Sequence, residues 1–364
     1  GGRQRGFNTN KLGGEISITV PKFIIPFFIF NTKGAYVPKS YARIGYDLLN
    51  RTKLYTLNSF RADLGYTWKP SVRKQYQYNP ISVNYVQPLN VTQRYTDSIK
   101  RDFTLKKAIE KQFIIGSNAT YSYNEIIDDP NGRGWFVTTN LDLSGNVIGL
   151  IKHPDLKNGD TIKIFGAPYS QYVKTEVDVR MYSRLGIKTI WANRIDLGVG
   201  IPYGNSYQLP FIKQFFIGGT NSLRGFRSRT LGPGIYRPAN ADSSNFYPDQ
   251  SGDIKLELNT ELRQKFSSVF EGAVFIDAGN IWLKNKDAFK PGAEFTGKFL
   301  TQLAVDAGIG IRFDLTILLL RFDVAVPLRK PWLPAGQRST PFNLGSAAFR
   351  RDNLIFNFAI GYPF

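Results

Sequence analysis

Phe60-Arg61-Ala62-Asp63-Leu64-Gly65-Tyr66-Thr67-Trp68 is the stretch whose reading decides the fold. Large or apolar side chains occupy every even position, and Arg61, Asp63 and Thr67 sit between them. Successive side chains of a β-strand point to opposite faces, so this period of two gives one apolar face and one charged face. The pattern recurs. Phe113, Ile115, Ala119, Tyr121 and Tyr123 alternate with Gln112, Gly116, Asn118, Thr120 and Ser122. Val173, Val177, Val179 and Met181 alternate with Lys174, Glu176, Asp178 and Arg180, and Trp191, Ile195, Leu197, Val199 and Ile201 with Arg194, Asp196, Gly198 and Gly200. A soluble sandwich would turn the charged face to water. A membrane barrel turns the apolar face to lipid and lines its lumen with the polar one. Two features favour the barrel: runs of about ten or more residues suit a tilted membrane crossing, and aromatic residues gather at the run ends as an interfacial belt requires.

The expected fold is therefore all-β, a transmembrane antiparallel barrel. The spans predicted are 12–24, 38–49, 53–69, 76–88, 111–125, 133–147, 169–184, 188–202, 209–217, 252–265, 268–284, 299–313, 315–328 and 353–364, about fourteen strands. Charge and loose helical periodicity over Thr96–Lys111 predict a short surface helix in a loop. Toward the C-terminus long connections (218–250, 285–298, 329–352) alternate with tight turns near Ser267 and Asp314, the habit of outer-membrane barrels.

Composition removes several functions. The 364 residues would usually make two or three soluble domains, although barrels run long as single units. With no cysteine there is no disulfide, zinc-thiolate site or cysteine nucleophile. His153, the single histidine, lies in the polar turn Lys152-His153-Pro154-Asp155 and reads as a surface residue, so a multi-histidine metal site is excluded. The longest apolar run, Phe23 to Phe30, contains Pro26 and is far short of the roughly 20 residues of a membrane helix. The sequence shows no signal peptide and opens abruptly on Gly1-Gly2, so a processed or truncated product is expected. The net charge of +19 fits either a nucleic-acid binder or a barrel with a basic lumen. Because the aromatics share faces with aliphatics rather than interleaving with Lys and Arg, no stacking platform forms and no nucleic-acid partner is expected.

One loop stands apart. Ile217 to Tyr236 contains Gly218, Gly219, Gly225, Gly232, Gly234 and Pro233, with Arg224, Arg227 and Arg229 among them. Glycines permit close backbone approach, and the arginine fork suits buried carboxylates. The loop is either folded back into the interior or a solvated basic surface loop. The next two strands bear on the choice. Ile254, Leu256, Leu258 and Leu262 define an outward face on 252–265, which turns Glu257, Glu261 and Arg263 inward. Phe270, Val274 and Ile276 do the same on 268–284, turning Glu271, Phe275 and Asp277 inward. Arg224 is thus expected to meet Asp277, Glu261 or both, unless those acids balance other lumen arginines. In the last run Leu354, Phe356, Phe358, Ile360, Tyr362 and Phe364 form one uninterrupted apolar face, that of a closing barrel strand.

These residues resemble the BamA/TamA superfamily of outer-membrane assembly and translocation barrels, closer to the TamA-like branch. Gly218-Gly219-Thr220-Asn221-Ser222-Leu223-Arg224-Gly225-Phe226 is similar to that family's signature loop, and Phe275-Ile276-Asp277-Ala278-Gly279 to its acid-bearing motif. Gly308-Ile309-Gly310-Ile311-Arg312 resembles the following strand, and the run ending at Phe364 resembles the terminal β-signal. The resemblance covers roughly the C-terminal 40% of the chain. It implies a sixteen-stranded barrel spanning 1–364 here, with the signature lumen loop at 217–250. The first two strands and the upstream polypeptide-transport-associated domains would be absent from this stretch. It also implies no catalysis and no cofactor or metal. The implied partners are unfolded outer-membrane proteins as clients, periplasmic or lipoprotein accessory subunits, and outer-membrane lipid and lipopolysaccharide. The implied task is to fold, insert or translocate barrel proteins. A secretion pore of the same superfamily and a passive porin are the alternatives.

Overall fold

The computed structural model describes residues 9–25, 36–101, 106, 108–129, 133–153, 161–238, 249–315, 317–341 and 343–364. Its fifteen strands are β1 (Thr9–Val20), β2 (Lys39–Arg51), β3 (Tyr55–Ser71), β4 (Lys74–Val91), β5 (Gln112–Asn124), β6 (Gly134–Ser144), β7 (Lys163–Ile164), β8 (Ala167–Pro168), β9 (Tyr172–Arg184), β10 (Thr189–Pro202), β11 (Ile254–Lys265), β12 (Phe270–Trp282), β13 (Ala304–Asp314), β14 (Leu319–Arg329) and β15 (Ile355–Ile360). Thirteen of them form one sheet in which each strand pairs with the next along the chain, and β7 and β8 make a separate hairpin. Every ladder in the large sheet is antiparallel. Among the described residues no ladder between β1 and β15 is present.

The alternation sorts the two faces. Ile44, Phe60, Leu64, Val274, Ile276, Ile309 and Phe358 project outward and are exposed, while Asp196, Glu257, Glu261, Asp277 and Arg312 project inward and are buried. A charged interior inside an apolar exterior suits lipid as the solvent, and pairing strand to strand satisfies the backbone groups there. The exterior carries rings near the tight turns. Trp68 stacks on Tyr76 at 5.2 Å and Tyr76 meets Tyr121 at 4.9 Å. Across the sheet, Phe266, Phe270, Phe313, Phe322 and Phe358 form an unbroken chain of ring contacts. Among the described residues no helix is long and apolar enough to cross a membrane; the strands cross it.

Connections differ at the two ends. One end holds the short links β3–β4, β9–β10, β11–β12 and β13–β14, and the other holds the long ones β4–β5, β6–β9, β10–β11, β12–β13 and β14–β15 together with the short β2–β3 turn. Helix α1 (Gln93–Arg101) follows β4, α2 (Asn146–Lys152) follows β6 and α3 (Ala347–Asn353) precedes β15.

Three expectations change. The run 209–217 is not a strand. Pro210 leads into a single 3₁₀ turn, Phe211–Lys213, and Asp253 holds the Leu209 amide and the Gln214 side chain, each at 3.2 Å. The apolar residues of that run alternate because they fill the lumen: a Cβ at inward Gly198 or Gly200 would collide with Phe215 or Leu209. The expected helix over Thr96–Lys111 begins earlier, as α1, and is not wholly superficial. Its Tyr95 is buried against Tyr55 at 4.8 Å; residues 102–105 and 107 of the expected span lie outside the described residues. Finally, the last strand covers six residues, not twelve. Gly361, at φ 84°, breaks the extended backbone. Phe356, Phe358, Ile360 and Tyr362 remain exposed and Leu354 is half-buried, but Phe364 is buried, so the apolar face is interrupted.

Candidate functional site: a loop pinned inside the barrel

The connection from β10 to β11 enters the lumen. Gly218 and Gly219, at φ 95° and 99°, take a backbone conformation open to glycine and turn the chain back on itself. The Gly219 amide donates to the Phe226 carbonyl at 2.8 Å and the Gly218 amide to Ser222 Oγ at 3.0 Å. Leu223, Phe226 and Leu231 then join Phe215, Ile217, Ile281 and Ala304 in one buried cluster, with Trp332 packed against it. Packing of this kind requires the next residue, Arg224, to find its partners inside the protein.

It finds several. Arg224 is 0% exposed. Its Nε donates to Asp277 Oδ2 at 2.9 Å and its Nη2 to Asp277 Oδ1 at 3.0 Å, a bidentate fork. Its Nη1 donates to Glu261, and its backbone amide reaches Asp277 Oδ2 at 3.2 Å. The guanidinium lies 3.3 Å from the centroid of the Phe275 ring, so it is both paired and stacked. Burial works against its charge, but Asp277 and Glu261 outweigh that and raise its pKa above the ordinary arginine value. Both acids chosen from strand parity thus contact Arg224. Gly225 comes next, and a Cβ there would collide with Asp306.

The network extends beyond what the sequence reading singled out. Glu261 also accepts from Arg263 Nε at 2.7 Å and lies 2.9 Å from Arg312. Asp323 is 3.2 Å from both Arg312 and Arg321, and Arg321 Nη2 donates to the Thr220 carbonyl and Asn221 Oδ1, each at 2.7 Å. The signal for Arg321 and Asp323 was present: Leu320, Phe322 and Val324 point outward, which turns these two inward. On the other side, Arg194 bridges Asp178, Asp196 and Glu257, and Glu257 accepts from Ser222 Oγ at 2.8 Å. Asn357 of the last strand donates to the Arg224 carbonyl at 2.9 Å. Phe364 ends near Arg263, which donates to its backbone oxygen at 3.2 Å and stacks on Tyr362 at 4.4 Å.

Two spaces flank the loop. One of about 690 Å³ lies between Gly218–Ser222 and residues Leu354–Asn357. The other, about 780 Å³, is bounded by β1–β4, Phe211–Lys213 and Arg229.

The fold and site together define a membrane barrel with a charged lumen that its own arginine-bearing loop enters. Residues 4–364 match the Omp85 superfamily domain, and the chain belongs to that superfamily. It is therefore an outer-membrane protein of the Gram-negative type. It is 25% identical over 154 residues to the outer membrane protein assembly factor BamA of Neisseria meningitidis serogroup B, a match covering 37% of this chain and 19% of that protein. The crystal structure of BamA from Haemophilus ducreyi lacking POTRA domains 1–3 superposes with a TM-score of 0.62 at 16% identity, covering 96% of this chain and 62% of that one. CdiB from Acinetobacter baumannii gives 0.51 at 11% identity, and CdiB from Escherichia coli 0.53 at 12%. Those two comparisons cover 97% of this chain and 50% and 52% of the respective CdiB chains. The chain thus spans less than two thirds of the length of these relatives.

Proposed function

We propose that this barrel assists the assembly of other outer-membrane proteins, folding and inserting barrel clients or passing them across the membrane. The observation that carries the reading is the loop pinned inside the lumen. Arg224 of that loop is fixed to Asp277 and Glu261 on the inner wall, which suits a protein that works at its wall better than one that conducts solutes. Likeness to a curated assembly factor points the same way. On this reading the clients are unfolded outer-membrane proteins, accessory subunits bind outside the barrel domain, and lipid and lipopolysaccharide surround it. The signature loop, with Gly218, Gly219, Arg224, Gly225 and Phe226, holds the resting state.

The test uses the full-length protein in liposomes with an unfolded client barrel, comparing empty vesicles, wild type and Arg224→Ala. Acceleration by wild type that the variant loses supports the proposal. A steady ion conductance without acceleration would favour a pore.

A further inference from the structure

Between β6 and β9 the chain does something a plain loop need not do. Gly145 starts α2 and Gly149 packs against the Gln171 side chain, while Ile148 joins Phe113, Tyr169, Ile162 and Ile164 in a cluster. Phe113 and Tyr85 belong to the outward faces of β5 and β4. Together with the β7–β8 hairpin, the segment therefore lies against the outside of the barrel. Tyr85 donates to the Phe165 carbonyl at 3.1 Å, and the Phe165 ring meets Phe113 at 5.7 Å. The cluster uses only one side of α2. Val147, Leu150 and Ile151, at helical i, i+3 and i+4 spacing, are about 70% exposed or more, and Phe165 at the hairpin tip is 79% exposed. Lys152 and Lys163 flank this apolar patch and are exposed.

Its height on the barrel says what covers it. The ring stack at Tyr76 and Tyr121 marks one membrane interface. From Tyr76 to Tyr85, β4 advances about nine residues, roughly 30 Å along the strand at ~3.3 Å each. At a tilt of about 40° that is roughly 23 Å along the membrane normal, close to the ~25 Å apolar band of such barrels. The flap thus sits at the opposite interface, continuous with the lipid-facing Ile81 and Leu141.

We infer that α2 and the β7–β8 hairpin form an in-plane membrane anchor, with Val147, Leu150, Ile151 and Phe165 in the acyl region of the leaflet at the long-loop end. Lys152 and Lys163 meet the phosphates of anionic headgroups there. An amphipathic segment with an apolar face and flanking lysines binds a bilayer surface by these two terms.

The chain has no cysteine, so one introduced residue gives a unique label. Leu150→Cys, and Gln337→Cys as an exposed control at the same end, are labelled with nitrobenzoxadiazole in the full chain. Both are reconstituted in phosphatidylcholine–phosphatidylglycerol vesicles, with heat-shifted gel mobility confirming the folded barrel. The label at 150 is expected to be quenched by doxyl-lipid roughly threefold or more beyond the control and to be shielded from aqueous iodide, as an interfacial helix requires. Equal quenching at both positions would overturn the anchor. In the Leu150→Cys background, Lys152→Glu with Lys163→Glu is expected to reduce lipid quenching in anionic vesicles only. No difference from the parent would overturn the headgroup contact.

Discussion

The two halves of the lumen are written in the same alternating pattern and solve different problems. On β11–β14 and the loop against them the inward charges are sealed: Arg224, Glu261, Asp277, Arg312 and Asp323 have side chains at 0% exposure. On β1–β3 they stay wet: Lys11 at 58% and Arg61 at 37% exposure share Asp47 with each other, facing the 780 Å³ space. The loop makes the difference, because it excludes water on one side only. A paired charge in a sealed site leaves an uncompensated partner when it is removed, whereas a wet pair is replaced by water.

The comparison breaks or sharpens at four positions. Arg224→Ala should have the largest effect, a loss of about 3–5 kcal/mol as Asp277 and Glu261 lose their shared cation. Urea unfolding in liposomes and protease cutting of the loop report it, and an unchanged protease pattern would refute the pinned loop. Asp277→Asn should cost less, about 2–3 kcal/mol, since the bidentate fork loses its charge while Glu261 keeps its own bond; the same unfolding assay ranks it. Gly225→Ala tests packing rather than charge. Its Cβ meets Asp306, so overpacking of about 1–3 kcal/mol is expected without loss of any ion pair, and a neutral result would mean that Asp306 yields. On the wet side Lys11→Ala should change unfolding by about 0.5 kcal/mol or less. A loss comparable to that of Arg224→Ala would erase the distinction between the halves.

Much of this was legible in the chain. Parity alone turned Glu261 and Asp277 inward, because aliphatic neighbours on both strands fix which face meets lipid. The density of glycine and arginine marked the loop, and the strands from β9 to β12 are recoverable within a few residues. What escaped depends on tertiary placement. Leu209, Phe211, Phe215 and Ile217 mimic a strand, since lumen packing also selects spaced apolar residues, and only Asp253 reveals the 3₁₀ turn. Phe364 carries the right residue type for a lipid face, but Gly361 redirects it toward Arg263. The flap at α2 has too few residues for a clear period, and its meaning comes from the height of the barrel wall behind it.

Asn357 gives the shortest described ladder of the large sheet a second role. β15 is held to β14 by six residue pairs, Leu320–Ile360 to Ala325–Ile355, where β10 and β11 share eleven. Yet its one inward amide is bonded to the backbone of Arg224, a fully enclosed cation of the lumen. Peeling the strand and freeing the loop are therefore linked equilibria, and linkage is reciprocal. Whatever favours departure of the edge strand weakens the grip on the loop by the same free energy, and whatever tightens the grip slows amide exchange along the edge. One hydrogen bond thus ties the end of the sheet to the loop it encloses.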